Sequence, residues 1–160
     1  MEKSVREIVV ILHNIRSAQN VGAIFRTADA VGVTKIYLTG YTPQPLDRFL
    51  RPDPKIAKTA LGAEKTIPWE HHKDVAVLCG KLNKEAFTIV GVEQDKRAVD
   101  YKSYVPTGDT ALLMGNEVLG ISPALRKRCD VLVEIPMRGK KESLNVSVAF
   151  GIVVYRLLDR

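Results

Sequence analysis

The chain has 160 residues, 46% of them hydrophobic, which is enough for one domain with a real core and excludes a disordered protein. Lys and Arg outnumber Asp and Glu by 24 to 18, so the net charge is +6. This balance favours an anionic partner, nucleic acid first, although a mildly basic surface without such a partner explains the charge equally well.

The cysteines, histidines and apolar stretches argue against several protein classes. Cys79 and Cys129 lie far apart with no C-x-x-C spacing, which is typical of a reducing compartment. The three histidines lack the spacing of metal ligands. The N-terminal residues do not resemble a signal peptide, and the longest mostly apolar stretch, Val146–Leu158, covers about two-thirds of a membrane span. We therefore expect a cytoplasmic protein without a metal or a membrane segment.

Apolar runs and helical spacing predict alternating strands and helices. In chain order, these are a strand at Ile8–Leu12, a helix at Val21–Val31, a strand at Lys35–Thr39, a proline-rich loop over residues 40–54, helices at Ile56–Leu61 and Val75–Leu82, strands at Phe87–Val92 and Thr110–Met114, a helix over residues 122–128, a strand at Val131–Ile135 and a last helix at Val146–Leu158. The alternation predicts an α/β fold with a mostly parallel sheet flanked by helices, in a single domain over residues 1–160.

A first group of functional candidates lies at the start of the first predicted helix, at Asn20, Gly22 and Arg26. We expect Asn20 to be the N-cap and Gly22 to permit a close backbone approach. Arg26 follows one turn later on the same side, where it could hold a phosphate or act on a nearby hydroxyl. Taken alone, the group is explained more simply by a capped helix with a surface arginine.

A second group follows the buried strand Thr110–Met114 and comprises Gly115, Glu117 and Gly120. In α/β proteins, ligands bind at the carboxyl ends of the parallel strands, and this loop lies at such an end. Glu117 is either a polar anchor in a site or a simple turn carboxylate, and the two glycines suit both explanations.

A third group runs from a strand end at Ile135 through a polar, basic loop into the last helix. Ser143 and Asn145 lie at the loop-to-helix junction, where they either cap the helix or contact a ligand and substrate. The last helix is apolar almost all round, which predicts burial on more than one side, at a subunit interface or wholly within its own subunit.

Two basic clusters accompany these groups. One spans residues 126–141, and the other comprises Arg48, Arg51, Lys55 and Lys58. Each cluster is either a surface that contacts phosphates or a solvated face. No G-x-G sequence occurs in the chain, so a dinucleotide-binding Rossmann enzyme and a P-loop ATPase are both disfavoured.

Taken in order, the three groups resemble the three motifs of the SpoU/TrmH family of RNA ribose methyltransferases. The first group resembles the N-x-G-x-x-x-R motif, and the second resembles the G-x-E-x-x-G motif. The third resembles the I-P-M…S-L-N-V-S-V-A motif, here Ile135-Pro-Met and Ser143-Leu-Asn-Val-Ser-Val-Ala. The resemblance extends from about Ile8 to Leu158, nearly the whole chain.

This resemblance implies a fold and a site that composition and spacing do not show. The implied fold carries a deep C-terminal trefoil knot, whose loops bind S-adenosylmethionine. The implied cofactor-binding residues are Val92, Glu93, Gly115, Asn116, Ile135, Met137, Ser143 and Leu144. The resemblance also implies that Arg26 acts on the substrate hydroxyl, that a homodimer forms with the site near its interface, and that the site is shaped by Asn20, Glu117, Ser143 and Asn145.

The implied reaction is methyl transfer from S-adenosylmethionine to a ribose 2′-hydroxyl of RNA. Family members often carry extra RNA-binding extensions, and this sequence has almost none before Ile8, so we expect a structured tRNA first and rRNA second. One alternative is an RNA-binding module that lost catalysis, which the intact polar motif residues disfavour. Another is a different α/β nucleotide-binding enzyme, which the missing glycine fingerprint disfavours.

Overall fold

The computed structural model describes residues 6–158, which contain seven strands and six helices. The strands are β1 (Ile8–His13), β2 (Lys35–Thr39), β3 (Trp69–His72), β4 (Thr88–Val92), β5 (Val99–Asp100), β6 (Thr110–Met114) and β7 (Val131–Glu134). The helices are α1 (Ala18–Val31), α2 (Pro54–Ala60), α3 (Ala63–Thr66), α4 (Val75–Lys84), α5 (Pro123–Arg126) and α6 (Val146–Leu158).

All described strands join one parallel sheet in the order β3-β2-β1-β6-β4-β7-β5. Alternate residues of the central strand β1 enter two different cores, as the two-residue period of a strand requires. Val10 and Leu12 pack with α1, α2, α3 and α6 on one face, whereas Val9 and Ile11 pack with α4 and α5 on the other. The predicted α/β class with a parallel, helix-flanked sheet is confirmed.

The strand order determines where a site can form. β6 lies between β1 and β4, and β7 lies next to β4, so four adjacent strands end at one edge of the sheet. The segments that follow β1, β6 and β7 contain the three motif groups, the first of them within helix α1. The trefoil knot implied by the resemblance stays a prediction.

The structure corrects several details of the predicted elements. Helix α1 begins at Ala18, and its N-cap is Ser17, whose side chain accepts a hydrogen bond from the Asn20 backbone N–H at 3.2 Å. The expectation that Asn20 is the N-cap was therefore wrong, because Ser17 supplies the cap one turn earlier. Sequence reasoning also missed α3 and the two edge strands β3 and β5.

Gly22 does permit a close approach, and the approaching element is helix α2. A Cβ atom at Gly22 would lie 2.0 Å from Thr59 Oγ1 and 2.4 Å from the Ile56 carbonyl oxygen. The Thr59 hydroxyl also donates a hydrogen bond to the Gln19 carbonyl at 2.9 Å. Gly22 thus fixes the segment that follows β2 against the helix that carries Arg26.

Within residues 6–158, no helix is both long enough and apolar enough to cross a membrane. The same residues contain no group of three or more His, Cys, Asp or Glu side chains placed to hold a metal ion.

Candidate active site

A cleft of about 280 Å³ opens where β4, β6 and β7 end. We call it the strand-end cleft. Its lining includes every residue that the resemblance assigns to the cofactor: Val92, Glu93, Gly115, Asn116, Ile135, Met137, Ser143 and Leu144. Three separate loops thus converge on one space, as the predicted site requires.

The loop between Gly115 and Gly120 is held in a tight ring at the floor of this cleft. Asn116 Oδ1 accepts hydrogen bonds from the backbone N–H groups of Val118 and Leu119 at 2.9 and 2.8 Å. The Gly120 N–H closes the ring on the Asn116 carbonyl at 2.9 Å. A Cβ at Gly115 would lie 2.7 Å from the Gly120 carbonyl carbon and oxygen, so only glycine fits there without moving backbone.

Glu93 braces this ring from the neighbouring strand. Its Oε2 accepts a hydrogen bond from the Ile121 N–H at 2.7 Å, and its Oε1 accepts one from the Gln94 N–H at 3.0 Å. Gly120 has a φ of 65°, in the region that favours glycine, and a Cβ there would lie 2.1 Å from Glu93 Oε2. Glu93 therefore lines the cleft and also fixes the shape of its floor.

Glu117 ties the ring to the start of α1. Its Oε1 accepts a hydrogen bond from the Arg16 N–H at 2.8 Å, and its Oε2 accepts one from the Ser17 N–H at 2.9 Å. Partial burial by itself would raise the pKa of Glu117, but these hydrogen bonds stabilise the carboxylate more strongly, and the net pKa lies below its usual value. Glu117 is thus an anionic anchor at neutral pH and is unsuited to act as a general base.

A chain of side-chain hydrogen bonds joins one residue from each motif. The Asn145 amide Nδ2 donates to Asn20 Oδ1 at 3.2 Å, and Asn20 Nδ2 donates to Glu117 Oε2 at 3.3 Å. Asn145 Oδ1 also accepts hydrogen bonds from the Ser147 and Val148 N–H groups and so caps α6. Both roles weighed for Asn145 from sequence, helix cap and site contact, are available to one side chain.

Arg26 lies elsewhere. It is exposed and lines a separate groove with Ala23, Thr27, Ala30, Lys58, Thr59 and Tyr155, which we call the Arg26 groove. It makes no hydrogen bond or ion pair with any residue between 6 and 158, and it is not part of the strand-end cleft. The structure therefore unites Glu117 and Ser143 in the cleft, places Asn20 and Asn145 in the network beside it, and separates Arg26 from both.

The strand-end cleft is acidic although the protein is basic. Four glutamates contribute to its lining, and none of the described Lys or Arg residues does. They are Glu93, Glu117, Glu134 and Glu142. Apolar side chains complete the walls at Ile135, Met137 and Leu144. The loop between β7 and α6 also carries three exposed cations that do not line the cleft. They are Arg138, Lys140 and Lys141. A ligand with a cationic centre and a flat apolar part suits such a lining.

Sequence reasoning missed part of the lining. Gln94 lies directly after Glu93, and its Nε2 donates to the Glu142 carbonyl at 2.7 Å, joining the loop after β4 to the loop after β7. Glu134 ends β7 immediately before Ile135. The sequence signal that could have found these residues is adjacency, since each lies next to a motif residue that was selected.

The comparison with known families identifies the family of this chain. The model of the SpoU rRNA Methylase family matches residues 7–155. The chain belongs to this family. The match covers both the strand-end cleft and the Arg26 groove, so the resemblance seen in the three motifs is confirmed.

Individual relatives agree with the family. The chain is 34% identical over 150 residues to the 23S rRNA (guanosine-2′-O-)-methyltransferase RlmB of Coxiella burnetii, which covers 94% of this chain and 57% of the relative. It superimposes with a TM-score of 0.84 on the SpoU methyltransferase AviRb from Streptomyces viridochromogenes in complex with the cofactor AdoMet, at 28% identity, covering 97% of this chain and 61% of that one. With the TrmH/SpoU tRNA modifying enzyme of A. aeolicus, the TM-score is 0.83 at 30% identity, covering 98% of this chain and 76% of that one.

The chain thus spans 57% of the length of the C. burnetii relative, so the match corresponds to one region of that longer protein.

Proposed function

We propose that this SpoU-family chain transfers a methyl group from S-adenosylmethionine to a ribose 2′-hydroxyl of RNA, with rRNA as the first candidate substrate. The observation that carries the proposal is the strand-end cleft, in which residues of the second and third motifs meet in an acidic, partly apolar space, with Asn20 of the first motif hydrogen-bonded to Glu117 beside it. A cytoplasmic location would give such an enzyme access to its RNA.

The residues present fit S-adenosylmethionine. Bound there, this cofactor would supply a methyl group on a cationic sulfonium, which the negative charge of the surrounding glutamates would favour. Ile135, Met137 and Leu144 offer apolar contacts for an adenine ring. Gly115 keeps the floor free of a side chain that would displace the Gly120 backbone. Support from a relative comes from AviRb, whose structure contains AdoMet.

Within this proposal, Arg26 acts on the nucleophile. A ribose hydroxyl is a weak nucleophile whose proton must leave as the methyl group is attacked. Arg26 has no partner among residues 6–158, so its guanidinium donors are free for an RNA hydroxyl or phosphate. Asn20, Glu117, Ser143 and Asn145 bind and orient groups around the cleft. The hydrogen-bonded network that links Asn20, Glu117 and Asn145 favours a catalytic function for this chain over a purely RNA-binding one.

The site also needs a second copy of the chain, because Arg26 does not line the cleft of its own subunit. Val148 and Tyr155 of α6 are 49% and 51% exposed, which leaves an apolar stripe on this helix uncovered. Tyr155 belongs both to this stripe and to the Arg26 groove. A homodimer that covers the stripe would therefore place Arg26 at the subunit interface.

The relatives favour rRNA over the tRNA that the sequence alone suggested. The C. burnetii relative is named for 23S rRNA and for guanosine. The A. aeolicus enzyme is named for tRNA, and it keeps tRNA as the second candidate.

Two measurements test the proposal. Calorimetry of the purified protein in chelator should show binding of S-adenosylmethionine, and tritium from labelled cofactor should pass to 23S rRNA more efficiently than to tRNA. A folded dimer that binds no cofactor would overturn the reaction class. A dimer that methylates tRNA but not rRNA would overturn the substrate assignment and leave the chemistry standing.

A further inference from the structure

A small hairpin after β2 presents an unusual surface. Leu46 and Pro52 form an antiparallel bridge, and we call residues 46–52 the 46–52 hairpin. Its tip exposes two large apolar side chains, Phe49 at 62% and Leu50 at 76%. Exposed aromatic side chains are disfavoured in water unless a partner covers them, so this tip requires an explanation.

The hairpin is built as a rigid platform. Asp47 Oδ1 accepts hydrogen bonds from the Phe49 N–H at 2.8 Å and the Arg51 N–H at 3.0 Å. The Asp47 N–H donates to the Arg51 carbonyl at 3.0 Å, and Arg51 Nε bonds Asp47 Oδ2 at 2.8 Å. Leu50 has a φ of 61°, a costly conformation for a leucine that these bonds maintain. The backbone that carries the two exposed side chains is therefore held in place.

Two cations lie close to the exposed aromatic ring. The guanidinium carbon of Arg48 lies 4.7 Å from the centre of the Phe49 ring, and that of Arg51 lies 5.0 Å from it. Cation–π attraction of this kind keeps both guanidinium groups at the hairpin tip. Arg48 makes no hydrogen bond or ion pair with any residue from 6 to 158, so its donors are free for an anion.

The chemistry of this tip matches single-stranded RNA. Unpaired bases stack on aromatic rings and on arginine planes, while guanidinium groups bind the adjoining phosphates. An apolar protein partner would match the ring and Leu50 but would leave the charge of Arg48 without a counterpart. Lys55 and Lys58 continue the positive charge along α2, towards the Arg26 groove.

The hairpin lies on the same edge of the sheet as the strand-end cleft. It follows β2, whose parallel partner β1 ends at that edge. The two sites are also linked directly, because Asn116 Nδ2 donates to the Tyr41 hydroxyl at 3.0 Å, and Tyr41 opens the segment that leads to the hairpin. The hairpin and the cleft therefore open at the same edge of the sheet, the edge at which RNA would have to approach a bound cofactor.

We propose that the 46–52 hairpin binds unpaired bases of the RNA substrate, with Phe49 as the stacking platform and Arg48 and Arg51 as phosphate contacts. This inference rests on the proposed function for the nature of the ligand, and it adds a substrate-binding surface outside the three motifs.

The test is an anisotropy titration without S-adenosylmethionine, using a fluorescein-labelled single-stranded RNA of twelve uridines. Phe49→Ala should weaken binding about tenfold, which is the loss expected for one stacked base. Phe49→Tyr should bind like the wild type, because it keeps the ring. Arg48→Gln should lower the dependence of affinity on salt by about one phosphate contact.

The control is Val77→Ala, which truncates a side chain that is 67% exposed on α4, the helix on the opposite face of the sheet. It should leave the affinity unchanged. Equal affinity of Phe49→Ala and wild type, with matching melting curves, would overturn the inference. A change in sedimentation with unchanged RNA affinity would also overturn it and assign the tip to contacts between copies of the chain.

Cofactor binding, measured separately by calorimetry, keeps the two proposals distinct. A protein that binds S-adenosylmethionine but is insensitive to Phe49→Ala refutes the hairpin alone. A protein that binds no cofactor refutes the proposed function, while the RNA titration still decides whether the hairpin binds RNA.

Discussion

The strand-end cleft and the Arg26 groove differ in how completely one chain builds them. In the cleft, Asn116, Glu93 and Glu117 all hold backbone groups in place, so its shape is fixed without a ligand. In the groove, Arg26 is exposed and has no partner among the described residues. The chain therefore contains a preformed cleft and, apart from it, an arginine whose donors are unoccupied by any described residue; under the proposed function that arginine acts on substrate at a subunit interface.

This contrast implies that cofactor binding and catalysis can be separated by substitution. Changes in the cleft should alter the binding of S-adenosylmethionine, and changes in the groove should alter the rate of methyl transfer with little effect on that binding.

The largest expected effect belongs to Arg26→Ala. Because this change removes the group proposed to act on the hydroxyl, methyl transfer to RNA should fall roughly 10²–10⁴-fold. Cofactor affinity by calorimetry and the sedimentation profile should stay near those of the wild type. Arg26→Lys keeps the charge but loses the planar fork, and we expect it to recover only part of the rate. Near-full turnover by Arg26→Ala would reduce Arg26 to a surface residue.

The next effect concerns the floor of the cleft. Gly115→Ala puts a Cβ 2.7 Å from the Gly120 backbone, so the ring must shift at a cost of about 1–3 kcal/mol. Calorimetry should show weakened or absent cofactor binding. Gly80→Ala is the matched control, since a Cβ there meets nothing within 4 Å and alanine favours the helix. Normal cofactor affinity in Gly115→Ala would show that the ring does not shape the cleft.

A smaller effect is expected from Glu117, through the pH dependence of stability. Its folded pKa lies below the usual value of 4.5, so its contribution is present above pH 4.5 and is lost as the pH falls through the folded pKa. Glu117→Gln should lower the free energy of unfolding by about 1–2 kcal/mol at pH 7, because the amide accepts the two backbone hydrogen bonds poorly.

Urea unfolding at pH 7 and pH 3 measures this difference. The gap between wild type and Glu117→Gln should narrow at pH 3. A gap that is the same at both pH values would show that the charge of Glu117 plays no part in anchoring the start of α1.

The smallest effect separates the two roles of Asn145. Asn145→Ala removes both the cap of α6 and the link to Asn20, and it should cost about 1 kcal/mol of stability. Asn145→Asp keeps a capping oxygen but cannot donate to Asn20. Thermal melts should therefore place Asn145→Asp near the wild type, while its methyl transfer rate falls with that of Asn145→Ala. Normal activity in Asn145→Asp would make the residue a cap alone.

The elements that sequence patterns predicted well are those with strong local signals. β1, β2, β4, β6 and β7 are short apolar runs with central places in the sheet. The two missed strands, β3 and β5, lie at the sheet edges, where one is polar and the other has two residues. The strand order itself depends on long-range pairing that no local pattern encodes.

The site likewise contains features that the sequence predicted and features that only the structure shows. The residues that line the cleft came from motif resemblance, whereas the anchoring role of Glu117 appears only when β6 and α1 are brought together. The N-cap was wrongly placed at Asn20 because both Ser17 and Asn20 are good caps, and packing rather than propensity selects between them. The separation of Arg26 from the cleft had no sequence signal at all.

The most direct test of the account is the position of the transferred methyl group. The purified protein would be incubated with 23S rRNA and tritiated S-adenosylmethionine, and the RNA then hydrolysed in alkali. Cleavage in alkali needs a free 2′-hydroxyl, so a methylated ribose leaves an alkali-resistant dinucleotide. The account predicts that the label is recovered in such dinucleotides and that Arg26→Ala yields almost none. Label recovered in mononucleotides that carry methylated bases would contradict ribose methylation.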